Sequence, residues 1–399
     1  MSDQNPVFIP GPTNIPERLR RAVDVPTLDH RSDAFAALFK PVFPGLKAVL
    51  KTRSAEIVLF PGSGTGGWEA AITNTLSPGD RVLAARHGMF SARWIDLCQR
   101  HGLTVDVIEE EWGSGAPADR FEEALTADRH HQIKAVLVCH NETATGVRSD
   151  IAAVRAALDA AGHPALLFVD GVSSIACMDF RMDEWGVDLA VTGSQKGFML
   201  PTGAAIVGIS RKALDAMENA TCSHCYFDFR AMIGANAEGG YPYTPPLNII
   251  AGLKVALDML QEEGLPAVFA RHHRIAEGIR RAAAAWGLKP CATDTRLYSE
   301  TVTALRVPAG FDGDRFVAHA ARKYGVAFGV GLGDLAGNVF RIGHLGAMTD
   351  VMALAGIATA EMVMADLDYP VVAGSGVAAA QNYYRTTCSA GNTRARHAA

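Results

Sequence analysis

The sequence predicts an α/β protein: a large domain on a mostly parallel, seven-stranded sheet covered by helices, then a smaller C-terminal α/β domain. Three observations carry this. Short apolar runs such as Ala135–Cys139 and Ala165–Val169 are continuous rather than alternating, as strands buried on both faces must be. Each run is followed by a helix-length stretch, the pattern of right-handed crossovers between parallel strands. The composition then changes near residue 240, at the rigid loop Gly239-Gly240-Tyr241-Pro242-Tyr243-Thr244-Pro245-Pro246. With 399 residues, 49% of them hydrophobic, the chain can bury a large core without disulfide or metal staples.

The elements follow in order. Pro6, Pro10, Pro12, Pro16 and Pro26 keep the first thirty residues irregular, since each fixes φ and lacks an amide donor. A helix is expected from about Ser32 to Leu50. The strand Glu56–Phe60 ends at Pro61-Gly62, and the turn Gly62–Gly67 leads into a helix from Trp68 to Leu76. Strands are then expected at Arg81–Ala85, Val105–Glu109, Ala135–Cys139, Ala165–Val169, Leu189–Thr192 and Ala204–Ile209. Helices intervene at Ala92–His101, Arg120–Ala127 and Ser149–Ala161. Two long helices follow, Leu247–Glu263 and Ala267–Trp286. Beyond them come the strand Thr301–Val307, the helix Asp314–Tyr324, the strand Val339–Gly343 and a helix over about Asp350–Leu367. The expected division is an irregular segment over 1–20, a large domain over 21–264, a small domain over 265–385 and a flexible tail over 386–399.

Composition excludes several classes. Lys plus Arg is 37 against 42 for Asp plus Glu, so there is no basic excess for nucleic acid. No run of 18 uncharged apolar residues predicts a membrane span. The N-terminus shows no basic stretch leading into an apolar one, so no secretory leader is expected. Seven cysteines, an odd number, read as reduced thiols in a cytoplasmic protein. Cys222 and Cys225 form a CxxC with no second pair, so no metal site is expected and the pair reads as a loop or packing feature.

In open parallel sheets, ligands sit beyond the carboxyl ends of the strands. The polar residues there are Ser63-Gly64-Thr65, His87-Gly88, His140-Asn141-Glu142-Thr143, Asp170 and Gly193-Ser194-Gln195-Lys196. The Gly-rich turn before a helix offers backbone amides to an anion, or is a tight turn and no more. It is not a P-loop, since no Gly-Lys-Ser/Thr follows, nor a GxGxxG with an acidic residue about twenty positions on. Asp170 ends an apolar strand and needs a partner there, which could be a protonated ring nitrogen or the next helix's amides. Lys196 lies between glycines among apolar residues. It is either a desolvated, nucleophilic amine or an ordinary loop lysine. Together, an anion cradle, a buried carboxylate and, 26 residues later, a lysine are the parts that pyridoxal 5′-phosphate requires.

On these residues the chain resembles the class V, fold type I pyridoxal-phosphate aminotransferases of the serine–, alanine– and aspartate–glyoxylate group. The resemblance covers roughly residues 6–380. It is carried by Pro10-Gly11-Pro12-Thr13-Asn14, Gly62-Ser63-Gly64-Thr65, His140–Val147, Phe168–Ser174, Gly193–Gly197, Tyr241–Pro246 and Arg341-Ile342-Gly343-His344. It implies that Lys196 forms the internal aldimine and shuttles the proton, and that Asp170 pairs with the pyridinium nitrogen. Ser63, Gly64, Thr65 and Gln195 are implied to hold the phosphate. Phe90 is implied to stack on the ring, where many relatives carry Trp, and Thr143 to contact the ring's O3′ side. Tyr241 and Thr244 are implied to reach the partner's site in a homodimer. Arg341 is implied to clamp the substrate α-carboxylate, with Gly11, Thr13 and Asn14 at the entrance.

The reaction so implied is ping-pong transamination of glyoxylate to glycine. L-Aspartate is the favoured donor, becoming oxaloacetate, with L-serine (to hydroxypyruvate) and L-alanine as alternatives. Aspartate needs a second cation, and Arg31, Arg86 and His344 are the candidates; His30 and His344 could instead bond a serine hydroxyl. A class V lyase or cysteine desulfurase is the competing reading. A desulfurase needs a mobile cysteine in the small domain, for which only Cys291 and Cys388 are placed.

Overall fold

The computed structural model describes residues 5–387. The proline-rich N-terminal segment holds one short helix, α1 (Glu17–Val23), begun at Pro16, whose φ of −59° already suits a helix start. The single helix expected before the first strand is two. α2 (Asp33–Phe39) starts where the Ser32 hydroxyl accepts the Phe35 amide at 3.3 Å, and α3 (Val42–Leu50) starts after Pro41. The break falls at the proline, which has no amide to extend α2.

Strands and helices then alternate as expected: β1 (Glu56–Gly62), α4 (Gly64–Thr75), β2 (Arg81–Arg86), α5 (Met89–Arg100), β3 (Thr104–Glu109), α6 (Ala118–Ala127) and β4 (Ile133–Cys139). A two-residue hairpin, β5 (Asn141–Glu142) with β6 (Val147–Arg148), precedes α7 (Ile151–Ala160). β7 (Leu166–Asp170), β8 (Leu189–Gly193) and β9 (Gly203–Ile209) complete a seven-stranded sheet of order β1-β9-β8-β7-β4-β2-β3. Only β9 runs against the rest. Both faces are buried. Val136 and Val138 of β4 enter one apolar cluster, and Ala135 and Leu137 enter the other. Pro61 is tolerated because β1 is an edge strand.

α8 (Arg211–Ala216) and α9 (Phe229–Ala237) follow, α9 unforeseen and capped by the Asp228 carboxylate on the Ala231 amide. α10 (Leu247–Glu263) and α11 (Leu265–Ala285) are separated by Gly264, whose φ is +81°. The C-terminal part carries a small antiparallel sheet of order β10-β11-β13-β12, from β10 (Lys289–Pro290), β11 (Val302–Arg306), β12 (Gly329–Val330) and β13 (Val339–Gly343). α12 (Gly313–His319), α13 (Asp350–Asp366) and an unforeseen α14 (Ser375–Thr386) pack around it. The buried Glu361 carboxylate anchors α14 by accepting from the Trp286 indole and the Gly374 and Gly376 amides. The segment over 1–20 is not free of this part, because Phe8 stacks on Phe328 with ring centroids 5.6 Å apart. Most of the tail expected over 386–399, Cys388 included, lies outside the described residues. Among those residues, no helix is long and apolar enough to cross a membrane.

Candidate active site

The carboxyl ends of the large sheet open on a cavity of about 350 Å³. Its walls bring together Gly11, Ser63, Gly64, Thr65, Phe90, Thr143, Asp170, Gln195 and Lys196, nine of the residues singled out in the sequence. They come from five separate strand ends and from the N-terminal segment.

The Gly-rich turn is the start of α4 itself rather than a loop before it. Ser63 is its N-cap residue, yet its hydroxyl caps nothing. The amides of Gly64 and Thr65 belong to the first turn, which has no intrahelical acceptors. Hydroxyl and amides therefore remain available where the helix dipole is positive. Gly64 packs so closely that an added Cβ would lie 2.3 Å from Val172.

Asp170 ends β7 and is 4% exposed. Oδ1 accepts the Val172 amide at 2.8 Å and Oδ2 the weak Cys139 thiol at 3.5 Å, with the Trp68 indole close enough to favour the carboxylate but outside hydrogen-bond geometry. Burial pushes its carboxyl up to about 6. The indole Nε1 of Trp68 and the amide Oε1 of Gln195, both in the cavity wall, are buried without partners.

Lys196 lies in the tight connection between β8 and β9. The Ser194 hydroxyl holds that connection by donating to the Pro201 carbonyl at 2.7 Å and accepting the Gly203 and Ala204 amides at 3.1 Å. The Nζ donates to the Pro10 carbonyl. Gly11, with φ +99°, makes room for this lysine, because a Cβ there would sit 2.4 Å from Lys196 Cδ. Burial, helped by the positive Arg341, pulls the amine down to about 8. The lysine of the sequence is thus the desolvated amine, not a solvated loop residue.

Phe90 and Ser91 open α5, and the buried Glu142 carboxylate accepts both their amides, at 3.0 and 2.9 Å. Glu142 thus fixes the ring that walls the cavity, a role the sequence motif did not disclose. Ser173 is a second such residue. Its hydroxyl accepts from Thr143 Oγ1 and Asn141 Nδ2, each at 2.8 Å, and donates to the Asn141 carbonyl. Trp68 and Thr202 also line the cavity and carried no expectation. Trp68 was legible: it stands four residues after Gly64, on the same face of a helix.

Arg341 is 6% exposed, on β13. Its Nε donates to the Val330 carbonyl at 2.8 Å and its Nη1 to the Thr143 carbonyl at 3.1 Å. No carboxylate pairs with it among the described residues, and Nη2 has no partner there. Burial pulls its guanidinium down to about 10.

The remaining expectations fare differently. Thr13 lies behind the cavity, its hydroxyl donating to the Lys196 carbonyl at 3.3 Å. The structure does not bring the Asn14 side chain to the cavity; it spans the Val7 amide and carbonyl, both at 2.9 Å. Neither Tyr241 nor Thr244 lines this chain's own cavity. The Tyr241 hydroxyl donates to the Leu59 carbonyl, and Thr244 is exposed. None of the three second-cation candidates reaches the cavity. Arg86 pairs with Glu109 at 2.6 Å, Arg31 is exposed, and His344 is buried against Thr303 Oγ1 at 3.0 Å. Cys291 is buried with its thiol pushed up to about 11, which does not suit a mobile nucleophile.

A wider cleft of about 920 Å³ lies beside Arg148, Arg181 and Arg296. Each of these arginines has an acidic neighbour, Glu300, Asp179 and Asp294 respectively, and no lysine lines the cleft. The uncapped Ser63 hydroxyl, the under-satisfied Asp170, the Trp68 indole and Lys196 wall the smaller cavity, which Arg341 does not line.

Comparison with known proteins agrees with this geometry. The chain is 65% identical to the L-aspartate–glyoxylate aminotransferase of Paracoccus denitrificans, over 99% of this chain and 100% of that one. It is 53% identical to the serine–glyoxylate aminotransferase of Methylorubrum extorquens, over 96% of each. The solved pyridoxamine–pyruvate aminotransferase of Mesorhizobium loti matches with a TM-score of 0.89 and 28% identity, over 97% of this chain and 99% of that one. The family model described as aminotransferase class-V matches residues 25–331, and the chain belongs to that family.

Proposed function

We propose that this protein transfers the amino group of L-aspartate to glyoxylate, giving oxaloacetate and glycine, with pyridoxal 5′-phosphate as cofactor. L-Serine and then L-alanine are the next donors in order. The observation that carries the reading is the convergence of Lys196, Asp170 and the open start of α4 on one cavity. The identity of 65% to a relative named for aspartate and glyoxylate supports the choice of donor.

The residues present suit this cofactor. The free Ser63 hydroxyl and the first-turn amides of α4 fit a phosphate. Asp170, short of donors and raised by burial, lacks the cationic partner that a protonated ring nitrogen would be. The unpartnered Trp68 indole is a further donor in the cavity wall, and Gln195 would reach a phosphate through its amide N–H rather than its oxygen. Ser63, Gly64, Thr65 and Gln195 would hold the phosphate, Asp170 the ring nitrogen, Phe90 the ring face and Thr143 the ring hydroxyl side. Bound there, pyridoxal phosphate supplies an electron sink for the pair left at the amino acid Cα.

The chain's own residues do the rest. Arg341 binds the α-carboxylate through its free Nη2, with the guanidinium already oriented by Val330 and Thr143. Lys196 Nζ takes the Cα proton and returns it, and an amine titrating near 8 is suited to do both close to neutrality. Gly11 sets the distance of that amine from the N-terminal wall. We further propose a homodimer in which Tyr241 and Thr244 complete the partner's phosphate site. The exposure of Thr244 suits that, whereas the Tyr241 hydroxyl would first have to leave the Leu59 carbonyl of its own chain.

Single-turnover absorbance of the cofactor-loaded protein tests the reading. The bound cofactor's visible band should fall when L-aspartate is added, less readily with L-serine or L-alanine, and return with glyoxylate. No response to any of the three donors would overturn it.

A further inference from the structure

The hydroxyl network in the cavity wall admits only one arrangement of protons. Ser173 Oγ lies 3.0 Å from the Asn141 carbonyl, which can only accept, so the single Ser173 proton goes there. Asn141 Nδ2, which can only donate, lies 2.8 Å from the same Ser173 oxygen and 3.0 Å from Thr301 Oγ1. Turning the Asn141 amide over would set two acceptors against that one Ser173 proton. Thr143 Oγ1, 2.8 Å from Ser173 Oγ, must therefore give its own proton to Ser173. The Thr143 hydroxyl has no other hydrogen-bond partner among the described residues.

The arrangement is fixed from several sides. Thr143 and Ser173 both line the cavity, and both are buried. The Thr143 backbone is held separately, since its carbonyl accepts Arg341 Nη1 at 3.1 Å. Asn141 is anchored from the small sheet by Thr301, which immediately precedes β11. A hydroxyl whose proton is spent in this way offers the cavity lone pairs and no donor.

We propose that Ser173, itself set by Asn141, is a positioning residue that makes the Thr143 hydroxyl a hydrogen-bond acceptor toward the cavity, so that the ligand group meeting it must carry a proton. This rests on the cofactor reading above and deepens it. For pyridoxal 5′-phosphate the group is the ring hydroxyl, which Thr143 then favours in its protonated form. A donor in the same place would favour the oxyanion instead.

The test is the absorbance spectrum of the cofactor-loaded protein. A short-wavelength band reports the protonated ring hydroxyl, and a long-wavelength band reports the ionised one. In Ser173→Ala the Thr143 proton is released to turn toward the ring. The ratio of the long- to the short-wavelength band at fixed pH should then rise about 3- to 10-fold. Ser173→Cys fills the same space with a weak acceptor; it should shift part-way in the same direction, and it serves if Ser173→Ala does not fold. In a Thr143→Val background, Ser173→Ala should leave the ratio within about twofold, because no hydroxyl proton is left to turn. An unchanged ratio in both Ser173 variants would overturn the proposal, and so would an equal rise with and without the Thr143 hydroxyl. Neutron diffraction of the cofactor-free protein, exchanged into heavy water, should place the Thr143 deuterium toward Ser173 Oγ. A deuterium pointing into the cavity would overturn the proposal whatever the spectra show. Absence of any visible band in the unsubstituted protein with added pyridoxal 5′-phosphate would instead overturn the cofactor reading, while the neutron result would still decide on Ser173.

Discussion

Asp170 and Asp188 are two buried aspartates at the ends of neighbouring strands, each 4% exposed. Asp170 closes β7 at the carboxyl edge of the sheet. Asp188 immediately precedes β8 at the opposite edge. Asp188 is served by its own chain. Its Oδ2 accepts the Leu167 amide at 2.9 Å, its Oδ1 accepts the Ser210 hydroxyl at 2.7 Å, and Lys212 stands 3.5 Å away. Asp170 has one amide and a thiol. The same residue type at the same depth is thus structural at one edge and incomplete at the other. The proposed pairing with a ring nitrogen would satisfy what the fold leaves open at Asp170.

The largest effect expected on the incomplete side is at Lys196. Lys196→Ala should lower transamination by about 1,000-fold or more, because proton transfer at the substrate loses its amine. The fold should survive, since the Nζ bonds only the Pro10 carbonyl. Turnover near that of the unsubstituted protein would remove Lys196 from the chemistry. Circular dichroism on the variant separates that result from unfolding.

The aspartates themselves give the next test. Asp188→Ala should destabilise the protein by about 4 kcal/mol, because it leaves the Leu167 amide, the Ser210 hydroxyl and Lys212 without their partner. At pH 4.5, where the Asp170 carboxyl still holds its proton, Asp170→Asn should leave the stability of the cofactor-free protein within about 1 kcal/mol. It should nevertheless weaken cofactor binding and reduce the rate by about 100-fold, through loss of the charge opposite the ring nitrogen. Denaturant titration of both variants, with cofactor titration of the second, checks the pair. Equal stability losses would erase the distinction between the two edges.

The difference between the aspartates was only half visible in the sequence. An Asp ending an apolar run can be read from one chain, as Asp170 was, and so can a lysine flanked by glycines. Whether a fold leaves such a group unpaired depends on contacts from distant segments. Glu142 shows this well. It stands inside the His140–Val147 motif, but its task is to cap α5, some fifty residues earlier in the chain. Asn14 shows the converse, as a polar residue in a matching motif that its own loop consumes. The strands of the large sheet were legible to within a residue or two, because continuous apolar runs leave little choice. α14 was not, since it opens on Gly374-Ser375-Gly376, which reads as turn chemistry, and it is held by the remote Glu361.

Acidity is the finest probe of the same contrast. Burial raises the Asp170 carboxyl from its ordinary 3.8 to about 6, so the folded protein without cofactor binds this proton more tightly than the unfolded chain. The contribution to stability is therefore fully present below about pH 4 and is lost as pH rises through about 6. The loss amounts to about 3 kcal/mol, an order-of-magnitude figure for a group this deeply buried. Many groups titrate across that window, so the measurable quantity is the difference between the unsubstituted protein and Asp170→Asn. Both should be measured without cofactor by denaturant titration from pH 4.5 to 7.5. The stability of the unsubstituted protein should fall relative to the variant as pH rises, because the amide has no proton to lose. A difference that stays flat would mean that Asp170 is already satisfied within the chain, as Asp188 is, and would leave the ring nitrogen without its partner.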